Sequence, residues 1–424
     1  MTASGTDFQR PISTGLRGRV RAVRVTPARI LLLMAGLLVL LAAVRTLTGA
    51  NDVTSRGTMQ AALQTAVPIA MAGLGGLWSE RAGVVNIGLE GMLVLGTWFG
   101  AWAGYQWGPW TGVAVGIIGG ALGGLLHAVA TVTFGVDHIV SGVAINLLAP
   151  GLARYLSVIA FTGNRGGGAT QSPQVGDITS VSAPGLSPWL ATVEGHHWFL
   201  VSDIAGILGG LVTDLSLLTI VAVLLIPLSF FVLWRTAFGL RLRSCGENPG
   251  AAESLGVNVY RMKYAAVVAS GAFAGLGGVF LSEVASSIYR EGQTGGRGFI
   301  GLAAMIFGNW RPGGLAAGAG LFGYADALNL RGQGTAVHAL LLFVGLLLLG
   351  LAARNALRRR WTGAVLGTAA AAVFLLWFAV TNEVPSQLVG ATPYVVTLVV
   401  LAAAAQRLRM PAADGLPYRR GQGR

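Results

Sequence analysis

The chain is built from long apolar runs separated by short polar segments. Hydrophobic residues make up 54% of its 424 residues and charged residues only 11%, less than half of the usual share of about 25% in soluble domains. A helix needs about 20 consecutive apolar residues to cross a bilayer. The runs that approach or exceed this length predict membrane spans at 30–48, 58–78, 82–104, 110–134, 138–161, 212–234, 262–285, 298–330, 336–353, 362–380 and 393–407.

The run 298–330 is too long for one span, and the segment Asn309-Trp310-Arg311-Pro312-Gly313-Gly314 interrupts it. We therefore expect two shorter helices that enter the membrane and return. The first run, from Ile30, has no small-residue cleavage site and is expected to remain as a helix. The sequence thus predicts an all-α polytopic membrane helix bundle of about 10–12 segments with broken helices.

Arginines are distributed unevenly between the loops. They cluster before residue 30, in the loops 235–261 and 354–360, and after residue 406, whereas the long loop 162–200 holds only Arg165. Cytoplasmic loops of membrane proteins carry the excess of Lys and Arg. The pattern therefore predicts a multi-pass protein of the cell membrane with a cytoplasmic N-terminus. It also accounts for the net charge of +13, so no nucleic-acid partner is expected.

This topology predicts a simple domain organisation. The long loop is rich in Gly, Ser and Pro, which favours an irregular or partly ordered extracytoplasmic segment. The expected parts are a basic cytoplasmic tail at 1–29, a transmembrane domain at 30–407 with the extracytoplasmic loop 162–200, the cytoplasmic loop 235–261 and extra C-terminal spans at 354–407, and a basic cytoplasmic tail at 408–424.

Glycines recur at every fourth position in several predicted spans, which places them on one helix face. Such small-residue stripes let helix backbones approach closely in membranes, and we interpret them as packing sites. They are Gly96, Gly100 and Gly104, then Gly116, Gly120 and Gly124, and Gly271 with Gly275.

The segment from Gly239 to Gly256 predicts a short helix outside the membrane. Asn248 is a favourable N-cap and Pro249 suits the first helical position. Gly256 suits the left-handed conformation that ends many helices. A helix of about two turns is not stable alone in water, so we expect it to dock either on this protein or on a partner.

This segment resembles the cytoplasmic coupling loop of ABC-transporter permeases in the branched-chain amino acid, ribose and nucleoside group. Ser79–Met92 resembles the second-to-third helix junction of the nucleoside and simple-sugar permeases, Asp137–Leu148 a later span, and Gly298–Gly314 the broken-helix region. The resemblance covers roughly residues 58–350 and implies a fold like that of type II importer permeases. The region 354–424 departs from the family pattern.

The resemblance implies several partners. These are one or more ABC ATPase subunits, a second permease subunit in a homodimer or heterodimer, and an extracytoplasmic substrate-binding protein, all assembled at the lipid bilayer. The residues expected to couple the chain to the ATPase are Arg241, Glu247, Asn248, Pro249, Ala252, Glu253 and Gly256.

Polar residues within apolar spans are the candidates for the substrate pathway. They are costly in a membrane and usually face the bundle interior or an aqueous path. A spacing of four places Asn86 and Glu90 on one helix face. Asn146 is a third polar residue within an apolar span. Hydrogen bonds that only tie helices together explain them equally well. Phe299 is added as a ring that can stack on a base or sugar, whereas Trp310 is better explained as an interfacial anchor.

The sequence gives no support for catalysis. Lys263 is the only lysine and lies outside any G-x-x-x-x-G-K-[ST] phosphate loop. We expect no catalytic residue, no metal ligand and no cofactor, with ATP hydrolysed by a separate subunit. The predicted function is the permease of an ABC importer for a nucleoside or related ribose-containing solute. The alternatives are a permease for a simple sugar or, less favoured, an ion-driven secondary transporter.

Overall fold

A computed structural model describes residues 27–331, 333–385, 388 and 408–421. Most of these residues are helical, and one short antiparallel ribbon pairs β1, Ser180–Val181, with β2, Leu215–Ser216. The helices are α1 Pro27–Thr48, α2 Arg56–Arg81, α3 Leu89–Trp107, α4 Pro109–Ala128, α5 His138–Ala160, α6 Leu186–Gly195, α7 Val201–Gly210, α8 Leu217–Arg235, α9 Ala237–Glu247, α10 Pro249–Ser254, α11 Val259–Phe280, α12 Arg297–Phe307, α13 Pro312–Arg331, α14 Gln333–Leu357 and α15 Trp361–Val380. One π-helical segment, Val129–Thr133, extends α4 and another, Leu281–Ala285, extends α11.

Seven of these helical stretches are long and apolar enough to cross a membrane, counted over the described part of the chain. This confirms the predicted all-α, multi-pass membrane bundle. The predicted span 393–407 and most of the tail 1–29 lie outside the described residues. The seven stretches are Arg56–Arg81, Pro109–Thr133, His138–Ala160, Leu217–Arg235, Val259–Ala285, Gly334–Leu357 and Trp361–Val380.

Helix α2 connects two opposite faces of the bundle. At its start, the backbone N–H of Arg56 donates to the carboxylate of Glu194 on α6. At its end, the guanidinium of Arg81 donates to the carbonyl of Trp310. Its 26 residues span about 39 Å at 1.5 Å per residue. We call the end with α6 and α7 the α6 face, and the end with α9, α10 and the turn 308–311 the α10 face.

Glycine stripes bring α3, α4 and α11 into backbone contact. A Cβ atom added at Gly116 would lie 2.7 Å from the carbonyl oxygen of Gly96, and one added at Gly275 would lie 2.6 Å from that of Gly116. No side chain larger than hydrogen fits at these separations. The prediction that the stripes are packing sites is therefore confirmed, and the three helices form the tightly packed part of the bundle.

The break in the predicted run 298–330 is confirmed, since α12 ends at Phe307 and α13 begins at Pro312. The helix of the predicted span 82–104 begins later than its predicted start. Residues 82–88 form an irregular segment in which Gly83 has φ +81, and α3 begins only at Leu89. Three helices were not predicted, namely α6 inside the loop 162–200, α7 between that loop and the span 212–234, and α9 ahead of the short helix α10.

Candidate functional site

Asn86 lies in the irregular segment before α3 and is completely buried. Its amide nitrogen donates to the hydroxyl of Ser270 on α11 at 2.8 Å. Its amide oxygen accepts from the backbone N–H of Gly88 at 3.0 Å. The side chain therefore fixes the segment 82–88 against α11, which is the tying role that the sequence left open.

Asn146 on α5 contacts the same segment from the other side. Its amide oxygen accepts from the backbone N–H of Gly91 at 2.8 Å, and its amide nitrogen donates to the carbonyl of Ile87 at 2.9 Å. The N-cap residue of α3 is Gly88, which has no side chain to accept from the first N–H groups of the helix. Asn146 supplies the missing acceptor from a neighbouring helix.

Glu90 closes the N-terminus of α12. One carboxylate oxygen accepts from the backbone N–H of Gly296 at 2.9 Å, and the other accepts from that of Gly298 at 2.7 Å. A negative charge is favourable at a helix N-terminus, where N–H groups lack partners within the helix. Gly298 is needed for this approach, because a Cβ there would lie 2.6 Å from the Cα of Glu90.

The expectation that Asn86 and Glu90 share a helix face was wrong, because only Glu90 belongs to α3. The structure nevertheless brings Asn86, Glu90 and Asn146 together at one junction of α3, α5, α11 and α12. Phe299 follows on α12 with 47% of its surface exposed. Its ring is available to a ligand, lipid or another subunit, and whether any of the four contacts substrate remains a prediction.

A cavity of about 240 Å³ lies at the start of α12, between α2, the π-helical segment Leu281–Ala285, α12 and α13. Its walls carry the polar side chains of Gln64, Thr65, Ser286, Gln293 and Arg297. The sequence analysis missed this site. Its residues are dispersed in the chain, and none of them lies in a motif that was singled out.

Two of the residues that line the cavity, Arg297 and Gln293, carry an ion pair and an unpaired amide donor respectively. The guanidinium of Arg297 pairs with the carboxylate of Asp326 on α13 at 2.9 Å. The amide nitrogen of Gln293 is buried and has no hydrogen-bond partner among the described residues. Buried donors are normally paired, so a polar molecule with acceptor oxygens suits this cavity.

On the α10 face, the short helix α10 has the predicted boundaries. Asn248 caps it by accepting from the backbone N–H of Ala251 at 3.0 Å. Pro249 is its first residue, and Gly256 follows with φ +81. These local predictions are confirmed.

Ala252 faces inward, which changes its expected role. Only 2% of its surface is exposed, and it packs with Cys245 and Val259. Ala251, Ser254 and Leu255 point outward instead, and Leu255 is 84% exposed. An isolated leucine with this exposure at the tip of a docked helix is a suitable contact for a partner. Glu253 is half-buried beside the C-terminal tail.

The residues of α9 join α10 to the end of α2. Arg241 is exposed, and Glu247 lies 3.9 Å from the guanidinium of Arg81. Trp310 is 4% exposed, and its indole nitrogen donates to Glu80 at 2.5 Å. The interpretation of Trp310 as an interfacial anchor was therefore wrong. Its ring is part of the contact between α2 and the turn 308–311.

No group of three metal-ligating side chains occurs in the part of the chain that the structure describes. The chemistry available at these sites is hydrogen bonding, ion pairing and apolar contact. Such groups suit binding and conformational change.

Comparisons with known proteins place these features in context. Residues 58–352 match the family model described as branched-chain amino acid transport system / permease component. The chain is 32% identical over 370 residues to the guanosine ABC transporter permease protein NupQ of Bacillus subtilis, covering 85% of this chain and 96% of that protein. It is 33% identical over 358 residues to the nucleoside ABC transporter permease protein NupC of Lactococcus lactis, covering 83% and 93%. It is also 34% identical over 278 residues to the putative glucose ABC transporter permease protein TsgC13 of Haloferax volcanii, covering 65% and 78%. No solved structure gives a significant match.

Proposed function

The chain belongs to the branched-chain amino acid transport system permease family, and from this premise we propose that it forms the translocation pathway of an ABC importer for nucleosides. The observation that carries the substrate class is the extent of the matches. Permeases named for guanosine and for nucleosides are covered over 96% and 93% of their length. The permease named for glucose is covered over 78%, which makes a simple sugar the second candidate.

ATP hydrolysis is assigned to a separate subunit. The only lysine of the chain, Lys263, is 2% exposed and donates to the carbonyl of Gly83 at 3.1 Å. A lysine with that position and partner is not available to hold a phosphate. The energy for transport must therefore reach this chain through contact with its ATPase.

The ATPase contact is assigned to the outward side of α10. Leu255 at its tip would enter an apolar cleft, while Asn248, Pro249 and Gly256 fix the geometry of the helix. The exposed Arg241 and Glu247 on α9 lie beside it and supply charges at the rim of the contact. The substrate-binding protein is assigned to the α6 face, and a second permease subunit completes the pathway between two copies or two related chains.

The substrate is assigned to the cavity between α2, α12 and α13. Nucleosides carry hydroxyl and carbonyl oxygens that can accept from the amide of Gln293, and hydroxyl hydrogens that can donate to Gln64 or Ser286. The cavity is smaller than most ligand pockets, which have volumes of about 300–1,000 Å³. It is therefore one wall of the pathway, and Glu90 binds the backbone on both sides of the lining residue Arg297.

The test is a substrate-uptake panel in cells that lack this chain and carry its ATPase. Complementation with the wild-type chain should restore uptake of guanosine and other nucleosides, and glucose should neither enter nor compete. Gln64→Leu should lower the uptake of nucleosides by about tenfold, the effect of about 1.4 kcal/mol of lost binding. The matched control is Gln60→Leu, one turn earlier on α2. Restored uptake of glucose alone would refute the nucleoside assignment. Equal uptake of nucleosides by the two glutamine variants would refute the assignment of the substrate to the cavity.

A further inference from the structure

The C-terminal segment 408–421 packs on the α10 face, although it lies outside the residues 58–352 that match the family model. The backbone N–H of Arg409 donates to the side chain of Asn309 in the turn between α12 and α13 at 2.7 Å. Further along, the N–H of Ala413 donates to the carbonyl of Gly246 at the end of α9 at 2.8 Å. The segment therefore bridges two parts of the α10 face that are far apart in sequence.

Asp414 inserts at the end of α2. It is 7% exposed and lies beside the carboxyl group of Glu80, with Lys263 of α11 nearby. Glu80 also accepts from the indole of Trp310. The segment thus reaches the polar contact that joins α2 to the turn 308–311.

The last part of the segment holds α10 itself. The ring of Tyr418 lies 5.5 Å from that of Tyr260 and packs on the buried cluster that includes Ala252. The guanidinium of Arg420 lies 3.4 Å from the carboxylate of Glu253. A hydrogen bond from Tyr418 to Glu253 lowers the pKa of that carboxyl, with a smaller contribution from Arg420. The contacts of Tyr418 and Arg420 with Glu253 fall on α10, the helix at the centre of the proposed ATPase contact.

We propose that residues 408–421 are a positioning strap that fixes α10 to the ends of α2 and α13. This inference rests on the proposed function, because it concerns how a displacement of α10 reaches the substrate pathway. Without the strap, α10 is held mainly by α9 and α11, its neighbours in the chain. With the strap, α10 is also joined to the turn 308–311. Helices α2 and α13 carry Gln64 and Leu330 in the wall of the cavity, so moving their ends changes that wall.

The test is a chain truncated after Arg407, purified with its ATPase and reconstituted in vesicles. Three quantities are compared with the wild type, namely co-purified ATPase, ATP hydrolysis and substrate uptake per ATP hydrolysed. A positioning strap predicts normal co-purification, continued hydrolysis and a fall of at least tenfold in uptake per ATP. An unchanged ratio overturns the proposal. Loss of the ATPase also overturns it, because the segment would then be a docking surface or a requirement for assembly.

Point variants separate the strap from a general effect of truncation. Tyr418→Ala combined with Arg420→Glu should lower uptake per ATP in the same direction. The matched control is Arg419→Glu, which changes an exposed arginine that has no ion pair among the described residues. The wild-type chain is assayed first with each substrate of the panel. If the proposed substrate class is wrong, the wild type will not take up nucleosides. If the strap proposal is wrong, the wild type and the variants will have the same uptake per ATP hydrolysed.

Discussion

The carboxylate of Glu90 lies 2.7 Å from the backbone nitrogen of Gly298, so that a side chain near the start of α3 closes the N-terminus of α12. The two residues are separated by more than half of the described chain. Because α12 borders the cavity, this bond connects the first turn of α3 to the proposed substrate pathway.

We predict that Glu90→Leu destabilises the protein and impairs transport. The change removes a charge worth about 0.3–1 kcal/mol at a helix N-terminus and leaves the N–H groups of Gly296 and Gly298 without their acceptor. The melting temperature of the detergent-purified chain should fall by several degrees, and uptake should fall with it. Glu90→Gln keeps an acceptor oxygen and should have a smaller effect. Glu291→Gln, at an exposed acid, is the control, and an unaltered melting temperature in Glu90→Leu would contradict the prediction.

We predict that Asn86→Leu impairs assembly before it impairs transport. The substitution leaves the hydroxyl of Ser270 and the N–H of Gly88 unpaired in a buried site, at a cost of about 1–3 kcal/mol for each group. The amount of monodisperse chain recovered from membranes should drop. Ser270→Ala removes the hydrogen-bond partner of Asn86 without introducing a larger side chain, so the recovered amount should drop less. A fully assembled Asn86→Leu chain that has lost uptake would instead support a direct contact with substrate.

Leu255→Glu should weaken the association of the ATPase by about tenfold or more, since a hot-spot residue near the centre of an interface costs about 2 kcal/mol or more when it is truncated. The amount of ATPase that co-purifies is the measurement. Leu357→Glu changes a leucine that is 88% exposed at the end of α14 and serves as the control. Equal co-purification with both variants would exclude Leu255 from the contact.

Ala252→Trp and Asn248→Ala should act on the same association indirectly. The first disrupts the packing of α10 on its own protein, because Ala252 is buried, and the second removes a cap worth about 0.5–2 kcal/mol. Both should increase the amide exchange of residues 250–256, whereas Leu255→Glu should not.

Docking of the C-terminal strap should weaken as pH rises. Burial and the neighbouring Glu80 raise the pKa of Asp414 above its ordinary value, and Arg81 and Lys263 are the cations that face it. The docked segment therefore holds a proton that the released segment loses at neutral pH. Linkage of one proton gives at most about a tenfold weakening per pH unit above the ordinary pKa near 4.

Amide exchange of residues 412–416, corrected for its intrinsic pH dependence, measures that docking. Between pH 6.5 and 8 the protection of the wild type should decrease. Asp414→Asn should be better protected and should depend less on pH, while Asp177→Asn on the α6 face should behave as the wild type. A steeper loss of protection in Asp414→Asn would reverse the assigned sign.

The orientation of the chain is testable by cysteine labelling with a reagent that does not cross membranes. Burial raises the pKa of the only native cysteine, Cys245, to about 11, so its background labelling should be low. In intact cells, a cysteine introduced at His197 should react and one introduced at Leu255 should not. The opposite pattern would place the α6 face in the cytoplasm.

Features set by neighbouring residues were predictable from the sequence. Asn248, Pro249 and Gly256 specify α10 by capping, and the glycine stripes specify close helix packing by their spacing. The position of Asn86 was not predictable in this way, because the apolar sequence continues through residues 82–88, where the structure has no regular helix. Pairs such as Arg297 with Asp326, or Asp414 with Glu80, depend on how separate helices pack. Local periodicity contains no information about such pairs.

The burial of Lys263 has a practical consequence for studies of the assembled transporter. Apart from its α-amino terminus, the chain offers amine-directed reagents one primary amine, which is 2% exposed and engaged by a backbone carbonyl. Amine cross-linkers and amine-reactive dyes will therefore report on its lysine-bearing partners and leave this subunit almost unmarked. Mapping of its contacts by mass spectrometry requires chemistry aimed at carboxyl groups, arginines or introduced cysteines.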